Sequence, residues 1–308
     1  MSVLTANTLF HFTKKDALLG ILSTGFRPSY SPEFGDHNFP TLPEMHIPMV
    51  CFCDLPLSRL QNHIHGYKWN FNGVDRQSKQ YGKFGLGMSK EWGTTKKLNP
   101  VTYIQPDSHL LQFIRLTTGA LYDLYFPLKA EWENDPNVSP VARSYYSNPL
   151  TRFMAAGMPT PPLSYKRFNI SEHGYSNAVA MCAYLKPYRD PLTGQQYYDE
   201  REWRYVIPYT KTEPGTVPPL TVFEGKLVPV IGHEKGIEWD IDMFKKNIER
   251  DYMLTFNPSD VKYIIVESDS DIHDIITLMK GLPDKYTSDD IDRLVTRIIT
   301  CEQLKEDF

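Results

Sequence analysis

Apolar residues along the chain fall into two spacings. Short continuous or alternating runs mark strands, and apolar residues three and four apart mark helices. The runs predict strands over Thr8 to Phe12, Met49 to Cys53, Phe84 to Met88, Pro100 to Ile104 and Trp203 to Pro208. Val261 to Val266 (Val-Lys-Tyr-Ile-Ile-Val) is the clearest buried strand. Lys14 to Ser23 predicts a helix with Leu18, Leu19 and Leu22 on one face, Thr13 as its N-cap and Gly25 as its stop. Ser108 to Tyr125 predicts another, with Leu110, Phe113, Ile114, Leu121 and Leu124 facing inward and Gly119 as a weak point. Further helices are expected from Ser58 to His65, Ile241 to Glu249 behind an Asp240 cap, Asp269 to Leu282 and Ser288 to Glu306. Asn177 to Leu185 suits a helix or a strand, and Pro214 to Val230 a loop and hairpin. Phe26 to Pro43 reads as a long loop. The Pro-, Ser-, Tyr- and Asn-rich stretch 135–168 lacks clear periodicity and reads as an insertion or lid. The expectation is one α+β domain over residues 1–308.

Composition narrows the class. With 308 residues, 41% of them hydrophobic and 23% charged, the chain can bury a full core. A net charge of −4 argues against a strongly basic nucleic-acid platform, though not against a local basic cleft. Four cysteines are too few for a disulfide scaffold of this size. No apolar run reaches the roughly 18 residues of a membrane span, and no secretory signal is visible. A cytoplasmic protein without membrane partners is therefore expected.

Three distant segments carry candidate chemistry. In His11-Phe12-Thr13 the imidazole and hydroxyl lie two residues apart, on one side of an extended chain, where both can grip a ribose or carboxamide. On the residues alone the plainer reading, a satisfied core histidine and a helix cap, is the favoured one. In Tyr81-Gly82-Lys83-Phe84-Gly85-Leu86-Gly87 the glycines lack the Gly-x-Gly-x-x-Gly order. They suit instead a strand over which another group lies closely, with Tyr81 free to stack on a flat ring. Glu200-Arg201-Glu202 precedes a strand, and on an extended chain both carboxylates face one side. One can steady positive charge on an anomeric carbon while the other orients a nucleophile. A charged strand edge neutralised by Arg201 and Arg204 accounts for the same residues. Cys51-Phe52-Cys53 is a weak zinc pattern, and no metal is expected.

The segments Leu9-Phe10-His11-Phe12-Thr13, Val50-Cys51-Phe52-Cys53-Asp54-Leu55-Pro56-Leu57-Ser58, Tyr81 to Trp92 and Glu200-Arg201-Glu202-Trp203-Arg204 together resemble the AbiGi-type abortive phage infection proteins of bacteria. Their layout is also similar to ADP-ribosyltransferases with a His-Tyr-Glu signature, DarT-like toxins among them. The resemblance implies a split, mixed β-sheet with flanking helices and loop insertions, binding NAD as substrate in a cleft. It implies that His11, Phe12 and Thr13 hold the NAD ribose, and that Tyr81, or else Tyr67, stacks on nicotinamide. Glu202 is then the catalytic carboxylate, with Glu200 beside it. The expected activity is ADP-ribose transfer in phage defence, to RNA or DNA in preference to protein, with Arg201, Arg204, Lys79, Lys83 and Lys90 as a basic rim. On this reading Glu202→Ala leaves the fold intact. AbiGi-type proteins are also labelled antitoxins, so the alternatives are a non-catalytic antitoxin or phage sensor with a regulatory partner, or an NAD glycohydrolase.

Overall fold

Most of the apolar runs become strands of one mixed sheet in the computed structural model, which describes residues 7–33, 44–78, 80–147, 161–208, 217–223, 226–230 and 240–307. In chain order the strands are β1 (Thr8–Thr13), β2 (Ser29–Glu33), β3 (Met45–Cys53), β4 (Lys68–Phe71), β5 (Val74–Gln77), β6 (Phe84–Ser89) and β7 (Asn99–Pro100). They continue as β8 (Thr102–Ile104), β9 (Leu185–Pro187), β10 (Glu202–Val206), β11 (Leu220–Phe223), β12 (Lys226–Pro229), β13 (Val261–Val266) and β14 (Ile298–Thr300). The main path across the sheet is β12-β11-β3-β1-β6-β13-β14, with β2 and β10 also paired to β3 and β7 to β10. Pairing within this sheet is antiparallel except between β13 and β14, while β4 with β5 (antiparallel) and β8 with β9 (parallel) form two separate two-stranded sheets.

β3 is where the sheet divides. Met45 to Met49 pair with β2, and Met49 to Cys53 pair with β10. β1 pairs six residues with β6 but meets β3 at Phe10↔Cys53 alone. Past that point β1 and β3 separate, and the helix Lys15–Thr24 connects β1 to β2. A cleft opens along this split.

Strand alternation decides what each face buries. Leu9, Val50, Phe52, Leu86 and Met88 pack under the helices Lys15–Thr24, Asp269–Lys280 and Ser288–Val295. Phe10, Phe12, Cys53 and Ile265 face the other way, onto Leu60 and Ile64 of the helix Leu60–His65 and onto Cys301 and Leu304. A third cluster joins Met45, Ile47 and Met49 to the helices His109–Glu133 and Leu163–Cys182 through Leu111, Tyr125, Trp132, Phe168 and Tyr175.

Several expectations change on contact with the fold. Thr13 ends β1 and does not cap the next helix, whose N-cap is Lys14 without a side-chain bond. Gly25 does stop that helix: at φ 116° its N–H reaches Ile21 O at 2.8 Å, a conformation that glycine adopts without a Cβ penalty. The expected loop from Phe26 contains β2, whose Ser-Tyr-Ser-Pro-Glu sequence has no apolar alternation to mark it; residues 34–43 lie outside the described residues. The helix His109–Glu133 runs through both Gly119 and Pro127, because packing against Leu163–Cys182 overrides local propensity. Within the expected insertion or lid, 135–168, Pro140–Ser147 is helical and the helix Leu163–Cys182 begins, while residues 148–160 lie outside the described residues. The expected final helix breaks at β14.

The glycines of β6 have the steric role their pattern suggested. A Cβ on Gly87 would stand 2.8 Å from the Phe10 ring, and one on Gly85 3.1 Å from Phe12. The two aromatic rings lie directly over the bare backbone. Gly87→Ala is therefore expected to cost about 1–3 kcal/mol by overpacking. Gly119→Ala, in a helix with open space around the added carbon, is expected to gain about 0.5–1 kcal/mol. Urea denaturation of the two variants checks both signs.

Candidate functional site

The split between β1 and β2–β3 holds a cleft of ≈ 1060 Å³, at the upper end of small-molecule sites. Its walls include His11, Phe12 and Thr13 from β1, residues 49–53 from β3, and Tyr81, Glu200 and Glu202. Sequence separation between these segments reaches nearly two hundred positions, and β-pairing closes it. Phe10, Cys53 and Glu202 stand in one register row across β1, β3 and β10.

His11 and Glu202 do not approach from the same side. Alternation along β1 turns His11 away from Phe10, and its ring packs against Phe26 and Phe52 at centroid distances of 5.4 and 5.6 Å. Glu202 shares the face of Phe10 and Cys53. Both line the cleft because the sheet is open there. His11 Nδ1–H donates to Cys51 O at 2.8 Å, since a carbonyl can only accept. Burial lowers the His11 pKa despite that bond, so the ring is neutral at pH 7 with Nε2 as an acceptor.

Glu202 sits in a buried charge network. Its Oε1 accepts from Arg204 Nε at 2.6 Å, and its Oε2 accepts from Lys186 Nζ. Arg204 is fully buried and also donates to Glu33 Oε2 at 3.0 Å and Ala183 O at 2.7 Å. Lys186, on β9, donates in addition to Glu200 Oε2 at 2.5 Å and lies over the Tyr197 ring. Burial pushes the Glu202 carboxyl upward, but Lys186 and Arg204 outweigh it and hold the group well below the usual carboxylate range. Burial likewise opposes the charge on Lys186, and Glu202 and Glu200 overcome it.

The two glutamates converge by a different route from the extended chain expected. Glu200 ends a 3₁₀ turn, Tyr197–Glu200, and Arg201 takes the left-handed conformation at φ 44°. Glu202 then opens β10. A left-handed arginine costs about 1 kcal/mol or more, and strain of this kind collects at working sites.

Tyr81 stacks on His63, ring centroids 4.1 Å apart and planes within 5°, and its hydroxyl donates to Glu200 Oε1 at 2.8 Å. One face of Tyr81 is thus covered by the protein itself. Burial pulls His63 down to about 4. Tyr67 is not among the cleft residues; it lines a smaller pocket of ≈ 160 Å³ that shares His63, Tyr81 and Glu200 with the cleft. Cys51 and Cys53 are enclosed beside the glutamates, and burial pushes both thiols up. The expected basic rim is not present as drawn. Arg204 is buried, Lys83 pairs with Glu267 and Lys90 with Asp54, and Lys79 lies outside the described residues.

Sequence reading missed Lys186, His63 and Glu33, and placed Arg204 on the surface. Lys186 carried one usable signal, a lone cation between the buried Leu185 and Pro187. The network also revises the expectation that Glu202→Ala leaves the fold intact, because it takes one carboxylate from each of two buried cations, leaving Lys186 with Glu200 and Arg204 with Glu33. Lys186→Met or Arg204→Met, which strand carboxylates instead, are each expected to cost about 3–5 kcal/mol in chemical denaturation. His63 adds a pH dependence. Its unfolded imidazole takes a proton near pH 6.5 and its folded one only near 4, so the unfolded state binds more protons in between. Stability is expected to fall as pH drops through that window, and His63→Phe to flatten the fall in a series of melts.

Comparison with known proteins gives the family. The sequence model of a family described as "Putative abortive phage resistance protein AbiGi, antitoxin" matches residues 25–267. The chain is also 24% identical over 293 residues to the abortive phage resistance protein AbiGi of Lactococcus lactis subsp. cremoris, covering 92% of this chain and 99% of that one. No solved structure matches. With the matched region spanning most of the chain, the cleft strands β2, β3 and β10 included, the protein belongs to the AbiGi family of abortive phage resistance proteins.

Proposed function

We propose that this protein acts in phage defence as an NAD-dependent ADP-ribosyltransferase, with NAD as substrate in the split-sheet cleft. The observation that carries the reading is the opening of the sheet after the single Phe10↔Cys53 pair, which brings His11, Glu200 and Glu202 to one cavity. In this mechanism Glu202 accepts a hydrogen bond from the ribose 2′-OH. A carboxylate has about four acceptor positions, so bonds from Lys186, Arg204 and the Cys51 thiol leave one for a ligand. Three carboxylates (Glu33, Glu200, Glu202) face two cations (Lys186, Arg204). The formal excess of one negative charge favours an oxocarbenium-like ribose as nicotinamide departs with the glycosidic electron pair. His11 Nε2 and the Thr13 hydroxyl serve as ribose or carboxamide contacts, with Phe12 beside them. Glu200 takes the proton of the incoming nucleophile. Tyr81 positions Glu200 through its hydroxyl, in place of the stacking role the resemblance implied.

The acceptor is RNA, DNA or protein. The ion pairs of Lys83 and Lys90 remove the charge argument for nucleic acid. Water as acceptor would make the protein an NAD glycohydrolase. No described helix is long and apolar enough to cross a membrane, and no metal-binding group is present among the described residues.

A second reading, a non-catalytic antitoxin that engages a partner protein, draws on the family description and on the two cations already holding Glu202. Incubation with NAD separates the two. The enzyme is expected to release nicotinamide and to label RNA, DNA or protein, and Glu202→Gln to lower that rate by about 10²–10³-fold. A melting curve accompanies the variant to show that it is folded. Wild-type protein that leaves NAD untouched in the presence of total cellular nucleic acid and protein would retire the enzymatic reading.

A further inference from the structure

Charge is unevenly shared along the cleft. Its described lining includes the carboxylates of Asp16, Glu33, Glu200, Glu202 and Glu249, against the cations Arg27 and Lys186. Lys186 is buried between Glu200 and Glu202. Among the described lining residues, Arg27 is therefore the exposed cation that a phosphate can meet. Arg27 stands at the mouth with its side chain 65% exposed, its Nη1 donating to Glu249 Oε1 at 2.7 Å.

We propose, on the basis of the nucleotide reading above, that Arg27 is the diphosphate-binding residue of the cleft and that Glu249 occupies it when no ligand is bound. The preferred ligand class is then a nucleoside diphosphate ester, not a lone nucleoside or nicotinamide. An exposed ion pair such as Arg27–Glu249 contributes only about 0–1 kcal/mol, so exchanging the carboxylate for phosphate costs little. The guanidinium fork also matches a phosphate better than a single carboxylate oxygen. Thr24, Ser29 and Ser31 line the cleft alongside.

Two observations place the ligand path here. The row of Ser29 (opposite Met49) and the row of Glu202 (opposite Cys53) lie four residues apart on β3, roughly 13 Å by strand rise. That separation suits a ribose at Glu202 with the rest of a dinucleotide extending toward the mouth. Independently, Gly20 lies in the middle of the helix Lys15–Thr24 and lines the cleft, yet a Cβ there would meet nothing within 4 Å. A mid-helix glycine costs about 1 kcal/mol against alanine, and no protein atom requires it. The open space beside it is continuous with the cleft.

The test is calorimetric titration of the full chain with ADP, ADP-ribose, NAD and adenosine, using wild type, Arg27→Ala and Glu249→Gln. Both variants break the same ion pair, so a purely structural role moves binding in one direction. A phosphate role moves it in opposite directions. Arg27→Ala is expected to weaken ADP and ADP-ribose by about tenfold or more. Glu249→Gln is expected to tighten them by about two- to fivefold, with adenosine unchanged in either variant. Variants that shift together, or not at all, while wild type binds NAD would overturn the role of Arg27 and leave the proposed function standing. Binding of ADP but not NAD, with the opposed shifts, would retain Arg27 and retire NAD as the substrate. Wild type that binds no diphosphate overturns both.

Discussion

The buried guanidinium of Arg204 is the constraint around which this site is organised. A charge with no solvent exposure is tolerated only when its hydrogen-bonding capacity is met, because removing an ion from water costs several kcal/mol even after relaxation. Arg204 meets that demand with Glu202, Glu33 and the Ala183 carbonyl. Those partners come from β10, β2 and the turn after the helix Leu163–Cys182. Glu202 in turn brings Lys186, and Lys186 brings Glu200 and through it Tyr81. One buried cation thus connects both walls of the cleft to the helical layer. Lys186 and Arg204 together set the ionisation of Glu202, since the two adjacent cations overcome the effect of burial.

The network has two functional consequences that pull in opposite directions. It preorganises an ionised, buried carboxylate on the cleft wall, where oriented charge acts more strongly than in water. It also engages both oxygens of that carboxylate before any ligand arrives. Any hydrogen-bond donor of a ligand must therefore use an acceptor position left over, or displace Lys186. Membership of the AbiGi family fixes the biological setting as abortive phage resistance without choosing between these consequences.

Much of the architecture was legible in the residues. Val261 to Val266, Phe84 to Ser89 and the helix behind Asp240 carry their own local signals: a buried apolar run, glycines alternating with large apolar residues, and a side-chain cap bonded to Met243 N at 2.9 Å. β2 was not legible, because Ser-Tyr-Ser-Pro-Glu pairs along β3 through its backbone and displays no apolar alternation. The site was half legible. His11, Glu200 and Glu202 stood out as polar residues beside strand patterns. Lys186, His63 and Glu33 did not, because their roles rest on neighbours remote in sequence.

By itself the sequence determined the strands that carry apolar runs, most of the helices, the family and part of the set of residues able to carry chemistry, since each depends on local periodicity or on a contiguous motif. Tertiary structure alone decided the rest. The Phe10↔Cys53 junction sets where the sheet parts, and the left-handed Arg201 sets where the two glutamates meet. Alternation of side chains put the His11 ring and the Glu202 carboxylate on opposite faces of one opening. Which charges are buried, and hence which are free to meet a ligand, follows from long-range pairing, and no stretch of residues encodes that in isolation.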